Sequence, residues 1–448
     1  MNTDNFFSML RCPKCFGALQ IEVVPLPEFG RNIFGTLQCD CSKYPVIDGI
    51  PIIGPLQIAP FNHMGENNTF DGTTPDELVE LVIKGKQTEA LIRCLAPLIE
   101  ARWITKMRAF PGRWKIAKLY GRLKTKKILA NRDILCAQDI LRFYFNSDSL
   151  GQELGDYFVH RVTQPRHLAA LALAEQMPRN SSPVLDVACG VGHLDHYLTS
   201  RQVSVDVVGI DMCFFQLWIA KHWVAPRSNY LCCNVTNGLP FASGVFKSAI
   251  VSDAYHLFKN RNVFVAELNR VSPKGIKIFT RVGNKLVMPN EGDEGTLQQY
   301  LDEIGDDACV TFSEGELVRY YICNTNPFGD APSSHGVLSK ESKWFSIISD
   351  PSHEILAKPN TDFCRPHLVG SISINPIYKL ISQSVPTRYR FEFPGIWYAY
   401  ENHQMLEYHP RTVTLTEDVL EKISKNVTDD AVQGYIDSFV LVGLPERY

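Results

Sequence analysis

Between residues 184 and 280, five short apolar runs alternate with stretches of helical periodicity, and this alternation restricts the fold more than any other feature of the chain. The runs are Val184–Val187, Val205–Ile210, Asn229–Cys232, Ala249–Ser252 and Ile276–Thr280. Their shortness and β-branched content suit strands buried on both faces of a parallel sheet. Parallel strands need crossover connections, which the intervening helical patterns supply. The segment therefore predicts a Rossmann-like, doubly wound α/β sheet.

The rest divides around that core. We read residues 1–60 as short strands around paired cysteines, 61–180 as helical, 181–283 as the core, and 284–448 as a mixed α+β extension. A length of 448 residues fits two to four domains. With 45% hydrophobic and 21% charged residues, the chain is neither disordered nor collagen-like. No stretch approaches 18 consecutive apolar residues, so no transmembrane segment is expected. The opening MNTDNFFSML has no basic n-region, so a cytoplasmic location is expected, with the 13 cysteines as thiols or metal ligands.

In the helical segment, Thr74-x-x-Glu77 with Pro75 reads as a capped helix start and Gly85 as its stop. Further helices are predicted over Thr88–Trp103, Arg113–Ala130, Asp133–Phe145 and Arg166–Met177. The net charge of −3 conceals an asymmetry: residues 102–132 carry eleven Lys or Arg and no acid. Such a tract suits an acidic partner (carrier protein, peptide or RNA), or is a solvated helix surface. Ser438–Gly443 is an apolar run that could form an edge strand of the core sheet.

Two chemical motifs stand out. Cys12-Pro-Lys-Cys15 and Cys39-Asp-Cys41 place two cysteine pairs as at the tips of two hairpins, a set of four soft ligands that suits a tetrahedral structural zinc ion. A module this small gains much of its folding energy from such a metal. Second, Asp186-Val-Ala188-Cys-Gly190-Val-Gly192 follows the first predicted strand and opens a helix. Asp211 ends the next strand, 21 positions after Gly190, a spacing at which a strand-end carboxylate can bind ribose hydroxyls. Asp195 stands where a dinucleotide loop wants a small residue, and its charge would repel a pyrophosphate at the helix N-terminus. S-adenosylmethionine is cationic and has no phosphate, so the loop favours it.

The motifs VLDVACGVG (184–192), VVGID (207–211), CNVTNGLPF (233–241), SAIVSDAYHLF (248–258) and SPKGIKIF (272–279) occur in an order that resembles class I S-adenosylmethionine-dependent methyltransferases, particularly the group like the ubiquinone/menaquinone C-methyltransferases. The resemblance implies that Asp186, Ala188, Gly190 and Gly192 shape the methionine end of the site. It implies that Asp211 holds the ribose, that Met212 packs on the adenine, and that Asn234 and Val235 contact the adenine edge. Ala188 replaces a loop glycine, Asn234 stands where Asp is common, and Lys247 stands where this group usually has Asp. LRCPKC (10–15) followed by YPVIDGIP (44–51) resembles the zinc-ribbon module attached to, or partnering, many methyltransferases. There the second pair is usually C-x-x-C; here Cys39 and Cys41 are spaced C-x-C.

Methyl transfer needs a positioned nucleophile and, for some acceptors, a base near the carboxyl ends of the strands. Ser252, Asp253, Tyr255 and His256 follow the fourth strand: Ser252 is expected at the cofactor, and Asp253, Tyr255 and His256 are the catalytic candidates. A capping Asp253 and a packed His256 are the structural alternative. Tyr157 and Arg161, just before the core, are expected to reach the cofactor carboxylate or the substrate. The run Tyr389, Phe391, Phe393, Trp397, Tyr398 and Tyr400 reads as a half-buried strand or as a wall for an apolar or aromatic substrate. The expected function is methylation of a small molecule at O, N or C, in a biosynthetic setting. An RNA or protein methyltransferase and a non-catalytic scaffold stay open, as does self-association.

Overall fold

The computed structural model describes residues 3–24, 33–54, 73–96, 113–145, 149–178, 180–201, 205–288, 295–305, 309–328, 338, 340–353, 355, 368–384 and 386–448. In chain order, the strands of the main sheet are β1 (Gln20–Val23), β2 (Gly35–Cys39), β3 (Ser42–Ile47), β4 (Ile50–Ile53), β5 (Val184–Val187), β6 (Val207–Asp211), β7 (Asn229–Cys233), β8 (Ser248–Ser252), β9 (Ile276–Gly283), β10 (Cys309–Ser313) and β11 (Trp344–Ser349). They lie in the order β1-β2-β3-β4-β7-β6-β5-β8-β9-β11-β10. Strands β5 to β9 are parallel, and β11 runs antiparallel to both β9 and β10. The order reverses direction at β5, between β6 and β8. That reversal opens a crevice beyond the carboxyl ends of these strands, where ligands bind in open α/β sheets.

The expected core strands are all present, their ends within three residues of expectation. Ser438–Gly443 is corrected: the strand there, Leu441–Leu444, pairs with Ser371–Ile374 in a separate two-stranded sheet. The outer position is occupied by Cys309–Ser313 instead. The aromatic run begins as a strand, Thr387–Phe391, within a three-stranded sheet, with Thr387 and Phe391 buried and the arginines between them exposed. It then turns into the helix Ile396–Glu401.

Helices fill the segment before the core. Pro75–Ile83 starts on the Thr74 capping box, with Glu77 Oε2 accepting from the Thr74 amide at 3.0 Å. Gln87–Leu95 ends earlier than expected, and residues 97–112 lie outside the described residues, as does that part of the basic tract. The helix Arg113–Asn131 buries Gly121, Thr125 and Ile128 along one side and leaves Lys115, Lys126 and Lys127 in solvent. Among the described residues, no helix is long and apolar enough to cross a membrane.

The cysteine-bearing strands are not a separate body. Strand β4 lies parallel to β7, with Ile52 opposite Cys232 and Ile53 opposite Cys233. The β3–β4 turn has Asp48 and Gly49 at φ 52° and 73°, as a two-residue hairpin turn requires. Asp48 is fully buried, and its Oδ2 accepts from Trp218 Nε1 and is paired with His222 Nε2, both at 2.8 Å. Burial opposes the charge, but His222, Trp218 and Lys221 outweigh it and hold the carboxyl below its usual range. Asp48→Ala leaves the Trp218 N–H and the His222 ring without their acceptor, so it is expected to cost about 3 kcal/mol. The native stabilisation is complete above the unfolded carboxyl's titration near about pH 4 and is lost as pH falls through the lower folded value. Urea melts of both proteins from pH 7 downward measure this; equal midpoints at pH 7 would contradict it.

Candidate active site

The glycine loop leaves β5 at Asp186, and Ala188, Gly190 and Gly192 take φ of 59°, 57° and 78°. Gly190 thus sits where only glycine is unstrained, while Ala188 accepts a left-handed backbone that its side chain disfavours. The loop is held from β6: Asp211 Oδ2 accepts from Gly190 N at 3.0 Å, and Oδ1 from Cys213 N at 2.8 Å. Burial pushes the Asp211 carboxyl up, against these backbone amides. Asp186, Ala188, Gly190, Gly192, Asp211 and Met212 are therefore brought together at the crevice.

The adenine-side residues are placed differently from expectation. Asn234 Oδ1 accepts from Thr236 N at 2.9 Å and Thr236 Oγ1 at 2.5 Å, capping the short turn Val235–Asn237. Its oxygen is engaged locally, and its amide nitrogen is the group left for a ligand. Ser252 Oγ accepts from Thr280 Oγ1 at 3.0 Å, at the ends of β8 and β9.

Beside the loop lies an ionic network that spacing alone does not reveal. Asp253, at φ 60°, pairs with Arg161 at 3.3 Å, Arg166 at 3.1 Å and Arg281 at 3.1 Å, and accepts from the Tyr157 hydroxyl at 2.9 Å. Arg281 also binds Glu314 at 2.8 Å and Glu401 at 2.7 Å, and its guanidinium lies 4.1 Å from the Trp344 ring centroid. Arg166 reaches Glu401 at 3.3 Å. Burial works against the Asp253 charge, but Arg166, Arg281 and Arg161 outweigh it and hold the carboxyl well below its usual range.

Two catalytic candidates are corrected by this geometry. Asp253 is a locked anion shared by three arginines, so it cannot act as a base near neutral pH. Tyr255 is fully buried, donates to Glu303 Oε2 at 2.9 Å, and packs among Phe258, Phe264, Phe279 and Tyr300. Burial and Glu303 push its phenol up, so it is a core residue. His256 differs: its Nδ1 has no hydrogen-bond partner, and its ring lies 5.6 Å from Trp344. Burial lowers its pKa to about 4, leaving a neutral imidazole at pH 7.

Tyr157 and Arg161 are likewise held by Asp253, with Arg161 also at 2.5 Å from the Tyr157 hydroxyl. The neighbouring Phe158 covers the loop: a Cβ on Gly190 would stand 3.5 Å from its ring. Tyr448, which the sequence reading missed, closes the arrangement. Its hydroxyl is 2.8 Å from His193 Nε2, in the first turn after the loop, and donates to Phe158 O at 2.8 Å and Val159 O at 3.1 Å.

At the far end of the sheet, the Sγ atoms of Cys12, Cys15, Cys39 and Cys41 all lie within 4.8 Å of one another. Cys12–Cys41 and Cys39–Cys41 are 3.5 Å apart, and Cys15–Cys39 is 3.7 Å. Thiolates at the corners of a zinc tetrahedron stand about 3.8 Å apart. The group can hold a metal ion, and the C-x-C spacing does not remove Cys41 from it. Burial pushes the Cys12 thiol up, but the Tyr44 hydroxyl and the Cys15 and Lys14 amides outweigh it and bring it down to about 6.

Residues 185–279 match the family described as methyltransferase domain. No curated protein matches the chain. Among solved structures, a TehB-like SAM-dependent methyltransferase from Corynebacterium glutamicum aligns over 41% of this chain and 87% of its own, at 16% identity and a TM-score of 0.30. The YcgJ protein from Bacillus subtilis aligns over 41% and 96%, at 15% identity and a TM-score of 0.27. A Haemonchus contortus phosphoethanolamine N-methyltransferase 2 aligns over 40% and 51%, at 14% identity and a TM-score of 0.30. The strand order, the glycine loop and the family match define an α/β, Rossmann-like class I methyltransferase fold. The chain carries a methyltransferase domain at its centre.

Proposed function

We propose that this chain is an S-adenosylmethionine-dependent methyltransferase acting on a small molecule with an apolar or aromatic body. The observation that carries the reading is the acid-lined loop at the crevice, with Asp186 and Asp211 around Gly190 and the loop amide fixed by Asp211. Acidic groups suit a cationic ligand and disfavour a pyrophosphate. Asp186 and the loop would hold the methionine end, Asp211 the ribose, and Met212, Val235 and the Asn234 amide the adenine. When bound, S-adenosylmethionine supplies an electrophilic methyl group. Phe158 excludes water from the loop. The Arg161–Arg166–Arg281 network fixes the crevice wall. His256 is neutral at pH 7, but its unpartnered Nδ1 is buried and a pKa of about 4 makes it a weak proton acceptor, so the reading favours an acceptor that is already nucleophilic.

The four cysteines fit a structural zinc ion, which would brace the hairpins and leaves no open position for catalysis. The exposed lysines of the Arg113–Asn131 helix, beside exposed Leu119 and Leu123, favour an acidic docking partner as a second role.

Isothermal titration with S-adenosylhomocysteine tests the central reading. Binding in the micromolar range is expected. Asp211→Ala frees the Gly190 and Cys213 amides and removes the ribose acceptor, so a loss of at least about tenfold is expected, about 1.4 kcal/mol. No binding by the intact protein would overturn it.

A further inference from the structure

Asp195 was read from the sequence as a charge on the ligand side of the loop. It is instead fully buried beneath it, and neither of its carboxylate oxygens has a hydrogen-bond partner. The fold makes deliberate room for it. Gly209 in β6 is in register with Asp186 on one side and Tyr230 on the other. Register partners project to the same side of a sheet, so Asp186 and Tyr230 flank an empty notch. A Cβ on Gly209 would fall 2.7 Å from Asp195 Oδ2, so the carboxyl occupies that notch.

The notch brings two acids together. Asp186 is buried and its Oδ1 has no partner. The Tyr230 hydroxyl donates to Ala225 O at 3.0 Å and also bears on Asp195, which it favours in the charged form. Two carboxylates are acceptors only, so neither satisfies the other unless one carries a proton. The groups acting on the pair are Asp211 from β6, Cys189 from the loop and Tyr230 from β7, with Arg161 the nearest cation, itself paired with Asp253.

We propose that Asp186 and Asp195 share one proton when the loop is free, and that a cationic ligand at the loop expels it. This rests on the reading of the loop as an S-adenosylmethionine site. Burial supports the pairing: it pushes Asp195 up to about 6, and Asp186 is raised well above its usual range by burial and by Asp195. The proton leaves to the buffer, so binding tightens as pH rises, by up to about tenfold per pH unit until the free pair has titrated.

Infrared spectroscopy of the ligand-free, full-length protein reads the pair directly. A protonated-carboxyl stretch is expected at pH 6, fading as pH rises and absent in Asp195→Asn. Its absence from the wild type, or its persistence unchanged in the variant, would overturn the proposal, and the wild-type measurement decides even if the variant misfolds. Calorimetry with S-adenosylhomocysteine in buffers of different ionisation enthalpy reads the coupling. Proton release by the wild type and none by Asp195→Asn is expected; equal release by both overturns the coupling. If the ligand does not bind while the band is present, the shared proton stands and the functional reading falls with the coupling.

Discussion

Asp253→Ala is expected to destabilise the protein by about 3–5 kcal/mol, the cost of leaving buried charges without their partner. Arg161, Arg166 and Arg281 converge on this one carboxylate from three places in the chain. Glu401 and Glu314 retain part of the pairing, but Arg161 loses its only ion-pair partner among the described residues. A general base predicts a different outcome: Asp253→Asn would then lower turnover and leave stability nearly intact. The structural role predicts that both variants lower the urea midpoint. The pH dependence has a definite sign. The folded carboxyl titrates below its usual range, so the stabilisation is complete above about pH 4 and is lost as pH falls through the folded value. Denaturation midpoints for wild type, Asp253→Asn and Asp253→Ala across that range provide the check. A wild-type midpoint in the asparagine variant would return Asp253 to the list of catalytic candidates.

The second large effect concerns the four cysteines. About one zinc per chain is expected by metal analysis of the purified protein. Cys12→Ser is expected to remove it and to cost on the order of 5 kcal/mol. Free zinc-ribbon peptides depend on the metal entirely, but here the cysteine-bearing segment shares an apolar cluster with the core. Phe6, Phe7, Leu10, Leu37 and Val46 pack in the same cluster as Leu185, Leu231, Phe241 and Phe246. Loss of the metal should therefore loosen β1–β3 first and the parallel strands later. Hydrogen exchange followed by mass spectrometry would show this as early exchange of residues 35–47 with protected residues 184–187. A metal-free protein with those hairpins fully protected would refute the zinc reading.

The core strands were legible because each is a short, mainly apolar run with its own boundaries, β-branched in four of the five. The glycine loop and its partner Asp211 were legible because they lie in adjacent units of one βαβ pattern. The ionic network was not, since Arg161, Asp253, Arg281, Glu314 and Glu401 lie far apart in sequence and meet only after the sheet is assembled. Asp253 and Tyr255 looked catalytic because position after a strand says where a residue sits, not which way it points. Asp195 was misread for a similar reason: the helix periodicity does not say which side of its first turn is buried. The clue was Gly209, a glycine inside an apolar strand, which signals that another group approaches closely. Tyr448 carried no signal, because its partners are a histidine side chain and two backbone carbonyls.

The pairing of β4 with β7 has a consequence for solubility. Without β4, the strand Asn229–Cys233 would present an unpaired ladder of amides and carbonyls on a largely apolar segment, an invitation to join another chain. With β4 in place, the outermost strand on that side is Gln20–Val23, four residues long, mostly solvent-exposed and carrying Glu22. The cysteine-bearing hairpins thus act as a guard against aggregation. Their failure would register as precipitation of the whole protein.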